Sequence, residues 1–441
     1  FADVLTDLPG VTNLVEHRIE LMTNGPVRIK QYPLPFHTEN TIKEEVEKML
    51  QLKVIEPSSS PYCAPIVIAR KKDGTNRFCV DFRKLNNITV FDSEPMPNPE
   101  SIFAKMAGKK FVSKIDLSKG YWQVPMDHQS KHLTAFSTPC GLFQFTTMPF
   151  GLVNAPATFN RLMRKLLHGM NEVDNFIDDI LISTDTWEDH LEVLTELFVR
   201  LQNAGLTARP SKCFFAFSEL ECLGHIIGQQ RLRPEEDKIE SLKNAPIPET
   251  KKQVRSFLGL AGFYRKFIPN FSVIAIPLTN LTKKGQPNKV KWTESTQQAF
   301  DTLKDLLCKR PILKLPDFDR TFILRTDASE DGIGAVLLQL ENDEKLPVAY
   351  ASRKLQDRER SYAVIEKECL AVVWGVQKFH QYLYGQEFSL ETDHQPLTYL
   401  DKSKTENSRL MRWALLLQQY RFRIVTIKGS DNVGADYLSR Q

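Results

Sequence analysis

Residues 176–182 read FIDDILI, so two adjacent carboxylates, Asp178 and Asp179, stand inside a run otherwise built from Phe, Ile and Leu. A short apolar run of this kind is buried as a strand. An ionised carboxylate carried into an apolar interior is costly unless a partner compensates it. Whatever the chain folds into must therefore export these acids through a turn, neutralise them with a cation, or do both. Adjacent aspartates also suit a tight turn on their own account. A third acid, Asp116, closes another apolar run at 110–117. A turn within 175–183 would set all three side by side.

Three hard carboxylate oxygen donors on neighbouring strands match Mg²⁺, which keeps several waters and is commonly held by one or two carboxylates plus substrate phosphates. Two such ions can activate a hydroxyl and steady a leaving pyrophosphate. A second set of acids lies farther on. Asp327 follows the strand-like 321–324 and precedes Gly332 and Gly334. In the helical stretch from about Tyr362, residues Ile365, Val372, Val376 and Phe379 share one face, Glu368 borders it and Glu366 points away. A glutamate at such an edge also has the option of reaching for solvent. Asp393 closes the strand 388–391, and Asp436 lies one turn into a final helix capped near Asp431 or Asn432. A fold that joined Asp327, Glu368, Asp393 and Asp436 would hold two metal ions and activate water against a phosphodiester.

With 441 residues the chain exceeds one ordinary core, and its 41% hydrophobic and 25% charged residues exclude a wholly disordered or collagen-like chain. Seven cysteines without a C-x-x-C pair argue against a secreted disulfide framework and a zinc ribbon, and for a reducing, intracellular setting. Cys213, Cys222 and His225 read as ordinary buried residues, since a closed zinc site wants a fourth ligand. No run of about 18 apolar residues exists to span a membrane. The chain opens on Phe1 with no initiator methionine or signal-like segment and reads as cut from something longer. A net charge of +4 says little, but residues 251–291 hold nine Lys or Arg and no acid, a local basic surface suited to phosphates.

Along the chain, residues 1–40 carry Pro and Gly without a period and predict an extended arm. A helix starts near Thr41. Runs 64–69 and 77–82 flank Lys71-Lys72-Asp73-Gly74 and predict a hairpin with a cationic tip. Helices follow at 157–167 and 189–204, and Thr250 with Gln253 forms a capping box for another. Residues 285–316 read as a tether holding one helix, 296–307, before a second globular unit of strands, a long helix and a last strand and helix.

Five ordered blocks, RFCVDFRKLN (77–86), KIDLSKGYWQVPM (114–126), TMPFGLVNAPATFNRLM (147–163), FIDDILI (176–182) and FLGLAGFYRKFIPNF (257–271), resemble the reverse transcriptases of gypsy-type LTR retrotransposons. The resemblance implies a mixed α/β fold: a right-hand polymerase with fingers and palm at 41–226, a thumb at 227–284, a tether at 285–317, and an RNase H-like α/β domain at 318–441. It implies a palm holding Asp116, Asp178 and Asp179. Lys72 and Arg77 would meet the incoming triphosphate, with Lys71 able to replace Lys72. Tyr121 would pack under the deoxyribose, near Phe150, which stands where retroviral relatives keep a glutamine. Leu223, Gly224 and His225 resemble the primer grip. TDAS, EKECLA, TDH and NVGADYLSR resemble the RNase H domain, with Asp327, Glu368, Asp393 and Asp436 as its acids.

Two departures stand out. Phe176 replaces the family's usual tyrosine, and Ile427 and Lys428 occupy the place where retroviral RNases H carry a histidine. The resemblance further implies Mg²⁺, two ions per active site with Mn²⁺ as an alternative, dNTP substrates, template–primer and RNA–DNA hybrid partners, protease and integrase in the same precursor, and a cytoplasmic virus-like particle. Nothing in the sequence speaks to an oligomeric state. A nucleotidyl cyclase would leave the basic segment and the second acid set without purpose. A domesticated, non-catalytic nucleic-acid binder is the other reading, set against which all seven carboxylates are intact.

Overall fold

The computed structural model describes residues 1–23, 25–35, 38–70, 76–309, 311–393 and 408–427, the side chains of Arg70, Asn76 and Arg77 excepted. The chain divides into two compact units, Phe1–Lys105 with Lys109–Leu220, and Met106–Gly108 with Glu221–Gln441.

In the first unit the extended arm is fastened down along its length. Isolated bridges tie Leu5 to Ala208, His17 to Met126, Leu21 to Thr89 and Arg28 to Cys63, and Val4, His17 and Ile19 are buried. Helix Glu39–Gln51 buries Ile42, Val46 and Met49, one stripe at helical spacing. Strands Ile66–Arg70 and Asn76–Val80 pair antiparallel as the expected hairpin. Its tip, with Lys71 and Lys72, lies outside the described residues.

The central sheet of this unit runs in the order Val173–Phe176, Asp179–Thr184, Phe111–Asp116, Phe214–Phe217. The strand-like run 175–183 folds back on itself as a hairpin with the expected turn at Ile177 and Asp178. A continuous strand would drag both acids through the interior, whereas the break places one of them in a turn. Ile177 takes a left-handed φ of 56° there, an outlying conformation for a β-branched residue. Helix Ala155–Leu166 delivers Phe159, Leu162, Met163 and Leu166 to the same core as Ile115, Ile180 and Ile182.

The second unit opens on a sheet ordered Glu219–Cys222, His225–Gly228, Arg231–Pro234, Leu313–Lys314. The predicted capping box is present: Thr250 and Gln253 start helix Lys251–Phe263. Residues 285–317 are more than a tether. Helix Glu294–Cys308 buries Ala299, Phe300, Leu303 and Leu307, Phe300 meets Phe257 with ring centroids 4.5 Å apart, and Leu313 and Lys314 pair with Leu232 and Arg231. An apolar helical stripe must be covered, so this segment is built into the unit.

A five-stranded sheet follows, ordered Glu344–Lys354, Gly332–Glu341, Phe322–Ala328, Glu387–Thr392, Arg421–Thr426. Its first three strands are antiparallel and its last three parallel. Helix Val364–Lys378 lies against it at Gly375, where an added Cβ would stand 3.1 Å from Thr326 Cγ2 and 3.2 Å from Ala335 Cβ. Helix Ser408–Leu417 was not expected, because Trp413-Ala414-Leu415-Leu416-Leu417 is a continuous apolar run without helical period. Among the described residues no helix is long and apolar enough to cross a membrane.

Candidate active sites

The first acid set converges through strand register. Asp116 is the cross-strand partner of Asp179, and Phe176 is the partner of Asp179 across the hairpin, so Asp178 occupies the turn. The Asp178 carbonyl accepts a hydrogen bond from the Leu117 amide at 3.4 Å. Burial, opposed by a backbone hydrogen bond and reinforced by the charges of Asp179 and Asp116, pushes the Asp178 carboxyl above its ordinary range. The other two acids have cationic neighbours: Lys212 Nζ stands 3.3 Å from Asp116 Oδ2 and Lys114 Nζ 3.0 Å from Asp179 Oδ2.

The loop after Asp116 is pressed against the turn. A Cβ at Gly120 would lie 3.2 Å from the Asp178 Cβ and 3.1 Å from the Phe159 ring, so any side chain here would force its neighbours to give by a few tenths of an ångström. Tyr121 stacks on Phe150 with centroids 4.9 Å apart and planes at 26°, and meets Phe159 at 5.4 Å. Burial, together with the Asp178 charge, pushes its hydroxyl up to about 12. Tyr121 and Phe150, both expected at the nucleotide, are thus brought together near the acids. Arg77 lies in a described strand, its side chain apart, and Lys72 falls outside the described residues. Phe176 keeps the expected strand position without a hydroxyl.

Sequence reasoning missed Lys114, Gly120 and Lys212. Lys114 was findable, since residues two apart on a strand share a face and Asp116 was already assigned to that face. Lys212 reaches the site from the turn after Pro210, and no periodicity announces it.

Leu223 and Gly224 have φ of 50° and 75°, the two-residue turn whose twist suits a tight hairpin. The turn is tied to the capped helix: Tyr264 donates its hydroxyl to the Gly224 carbonyl at 2.7 Å. His225 Nδ1 lies 3.0 Å from the Leu223 carbonyl, and its ring packs against Phe263 at 5.3 Å and Phe267 at 5.8 Å.

The second acid set gathers at the end of the five-stranded sheet. Parallel pairing reaches Arg325 and Glu391, and Asp327 and Asp393 each lie two residues beyond. Asp327 and Glu368 are 8% and 7% exposed. Burial, reinforced by the Asp327 and Asp393 charges, pushes the Glu368 carboxyl up to about 8, although it accepts the Ala328 amide. Its Oε2 is buried without a hydrogen-bond partner among the described residues. Glu391, also buried, makes the contrast: against the cost of burial, hydrogen bonds from Lys345 and Arg325 hold its carboxyl below the ordinary range, at 2.5 Å and 2.6 Å. One buried acid has its compensating cations within the chain. The other faces two more acids. Asp436 and Lys428 fall outside the described residues, while the Ile427 amide donates to the Thr392 carbonyl at 3.0 Å. Among the described residues no three His, Cys, Asp or Glu side chains converge as tightly as a bound metal ion demands.

Residues 69–227 match the reverse transcriptase (RNA-dependent DNA polymerase) family, and residues 317–420 match the RNase H-like domain found in reverse transcriptase. The Pol polyprotein of transposon 297 from Drosophila melanogaster is 40% identical over 97% of the chain. The chain belongs to the LTR-retrotransposon reverse transcriptases. The Pol polyprotein of the Drosophila melanogaster transposon gypsy is 35% identical over 96% of the chain. The chain spans about two fifths of these relatives, 41% and 42% of their lengths. Among solved structures, a foamy viral protease–reverse transcriptase in complex with an RNA/DNA hybrid superposes with a TM-score of 0.82, at 25% identity, over 96% of this chain and 58% of that one. A reverse transcriptase domain and an RNase H-like domain thus lie in order along a mixed α/β chain.

Proposed function

We propose that this chain synthesises DNA on RNA or DNA templates from a primer at Asp116, Asp178 and Asp179, and cuts the RNA strand of RNA–DNA hybrids at Asp327, Glu368, Asp393 and Asp436. The observation that carries the first half is the register that sets Asp116 opposite Asp179 and leaves Asp178 in the turn beside Gly120 and Tyr121. The solved relative bound to an RNA/DNA hybrid supports the partner.

The residues fit divalent cations. A buried carboxylate oxygen of Glu368 has no hydrogen-bond partner among the described residues, and the charges of two further acids act on its carboxyl, which is the electrostatic demand a hard cation meets. Bound Mg²⁺, two ions in each site with Mn²⁺ as a substitute, would supply charge to the attacking and leaving oxygens of an in-line displacement. The chain itself supplies the rest. Lys212 and Lys114 hold positive charge beside Asp116 and Asp179. Tyr121, stacked on Phe150, offers an aromatic face to a deoxyribose and leaves no room for a 2′-hydroxyl. Lys72 and Arg77 take the triphosphate, and the turn of Leu223, Gly224 and His225 meets the primer backbone. The exposed Lys252, Arg255, Arg265, Lys283 and Lys284 form a basic surface that tracks duplex phosphates. Protease and integrase partners in one precursor, and a cytoplasmic virus-like particle, belong to the same reading.

Primer extension on an RNA template and cleavage of a hybrid, each measured on this chain with Mg²⁺ and then with excess EDTA, test it. Both products are expected with Mg²⁺, neither with EDTA, and both again on adding Mg²⁺. Undiminished product in EDTA would contradict the metal assignment.

A further inference from the structure

Among the places where the arm before the first helix is fastened, residues 6–12 meet the loop that runs from Ser118 to Gln123 and the neighbouring segment 205–207. Ser118 donates its hydroxyl to the Thr6 carbonyl at 2.5 Å. The Gly10 amide donates to Thr207 Oγ1 at 3.0 Å, Thr207 Oγ1 donates to the Leu8 carbonyl at 2.7 Å, and the Thr12 amide donates to the Gln123 carbonyl at 2.8 Å. Arm and core approach so closely at Gly10 and Gly205 that a Cβ on either would collide with a carbonyl of the other segment.

Gln123 stands at the centre of this knot and is fully buried. Its amide nitrogen donates to the carbonyls of Ser118 and Thr207, both at 2.9 Å, and its amide oxygen accepts the Thr207 amide at 2.7 Å. Two donors and an acceptor in one planar group are what a primary amide offers; a glutamate has no donor for the two carbonyls and an apolar chain has neither. The ring so closed joins Ser118, which begins the loop, to Gln123, which ends it. Gly120, against Asp178, and Tyr121, against Phe150, lie between them.

We infer that Gln123 is a positioning residue for nucleotide selection, and that arm residues 6–12 form part of the same device: together they fix the loop that sets Tyr121 against the acid turn. This rests on the polymerase reading given above. Gln123 touches no reacting atom, and its effect passes through the placement of Tyr121, so it is read in sugar discrimination rather than in rate alone.

The test uses the full chain and single-nucleotide primer extension, with kcat and KM measured for a dNTP and for its ribonucleotide. Hybrid cleavage and the melting temperature are followed in the same preparations. Gln123→Met and Gln123→Glu remove the amide, and Gly10→Ala pushes the arm away from the opposite side. Each is expected to lower kcat/KM for the dNTP about tenfold, the scale of a small misplacement at a reacting centre. Each should also shrink the preference for deoxyribose while hybrid cleavage stays at the wild-type rate. Wild-type discrimination in Gln123→Met, or equal loss of extension and cleavage in all three variants, would overturn the inference. A wild-type chain that extends no primer would remove the polymerase reading and this inference with it. Normal wild-type extension with unaltered variants removes the inference alone.

Discussion

Glu368, on helix Val364–Lys378, and Glu391, on strand Glu387–Thr392, are chemically alike and both buried, yet their carboxyls move in opposite directions because, among the described residues, lysine and arginine partners stand beside Glu391 while acids stand beside Glu368. The difference separates an acid compensated within the chain from one that, on the function proposed above, would take a cation. The carboxylates were readable in the sequence because an ion in an apolar run has few innocent explanations. Lys114 was readable too, two residues from Asp116 on one strand, but Lys212 and Gln123 were not, since a lysine in a turn or a glutamine in a single short helical turn carries no signal until its neighbours in space are known. His17 is a further case. Its Nδ1 lies 2.8 Å from Thr158 Oγ1, and burial pulls it down to about 4, with Asp92 opposing and Arg161 adding to the shift. The folded chain therefore refuses a proton that the unfolded chain accepts. Its stabilising contribution is full above about pH 6.5 and is lost as pH falls towards 4. Urea midpoints at pH 7.5 and pH 5 should show wild type losing on the order of 2 kcal/mol more than His17→Gln. Parallel losses in the two proteins would contradict this.

At the scale of elements, local chemistry announced whatever it alone decided. The capping box at Thr250 and Gln253 formed as read, because its atoms all lie within four residues. The turn at Ile177 and Asp178 was readable from where the acids must go, whereas the helix Ser408–Leu417 was hidden in an apolar run whose period is blurred. Packing separates two helical glycines of similar appearance. Gly375 is pressed against Thr326 and Ala335, whereas a Cβ at Gly259 would meet nothing within 4 Å. Gly375→Val should destabilise the protein by about 2 kcal/mol through overpacking. Gly259→Ala should stabilise it by up to about 1 kcal/mol through helix propensity. Thermal melts of the two variants check the pair, and equal shifts of one sign would show that packing does not discriminate them.

For the whole molecule, the order of the two domains was legible because each carries its own blocks of acid-bearing motifs. What the sequence hid is how thoroughly residues 285–317 are folded into the second unit, where helix Glu294–Cys308 and the Leu313–Lys314 strand pack on neighbours far away in sequence. Asp116, Asp178 and Asp179 lie in the first unit, while Asp327, Glu368 and Asp393 lie in the second. Each acid set is thus completed, as far as the described residues reach, by elements of its own unit. Two chemistries that share a chain but no acid should be separable by single substitutions. The direct measurement is primer extension and hybrid cleavage side by side on wild type, Asp178→Asn and Glu368→Gln, with folding verified by circular dichroism. Asp178→Asn should lose synthesis at least a hundredfold, on the scale of removing a group needed only in the transition state, and keep cleavage. Glu368→Gln should do the reverse. Loss of both activities in either folded variant would contradict two independent sites.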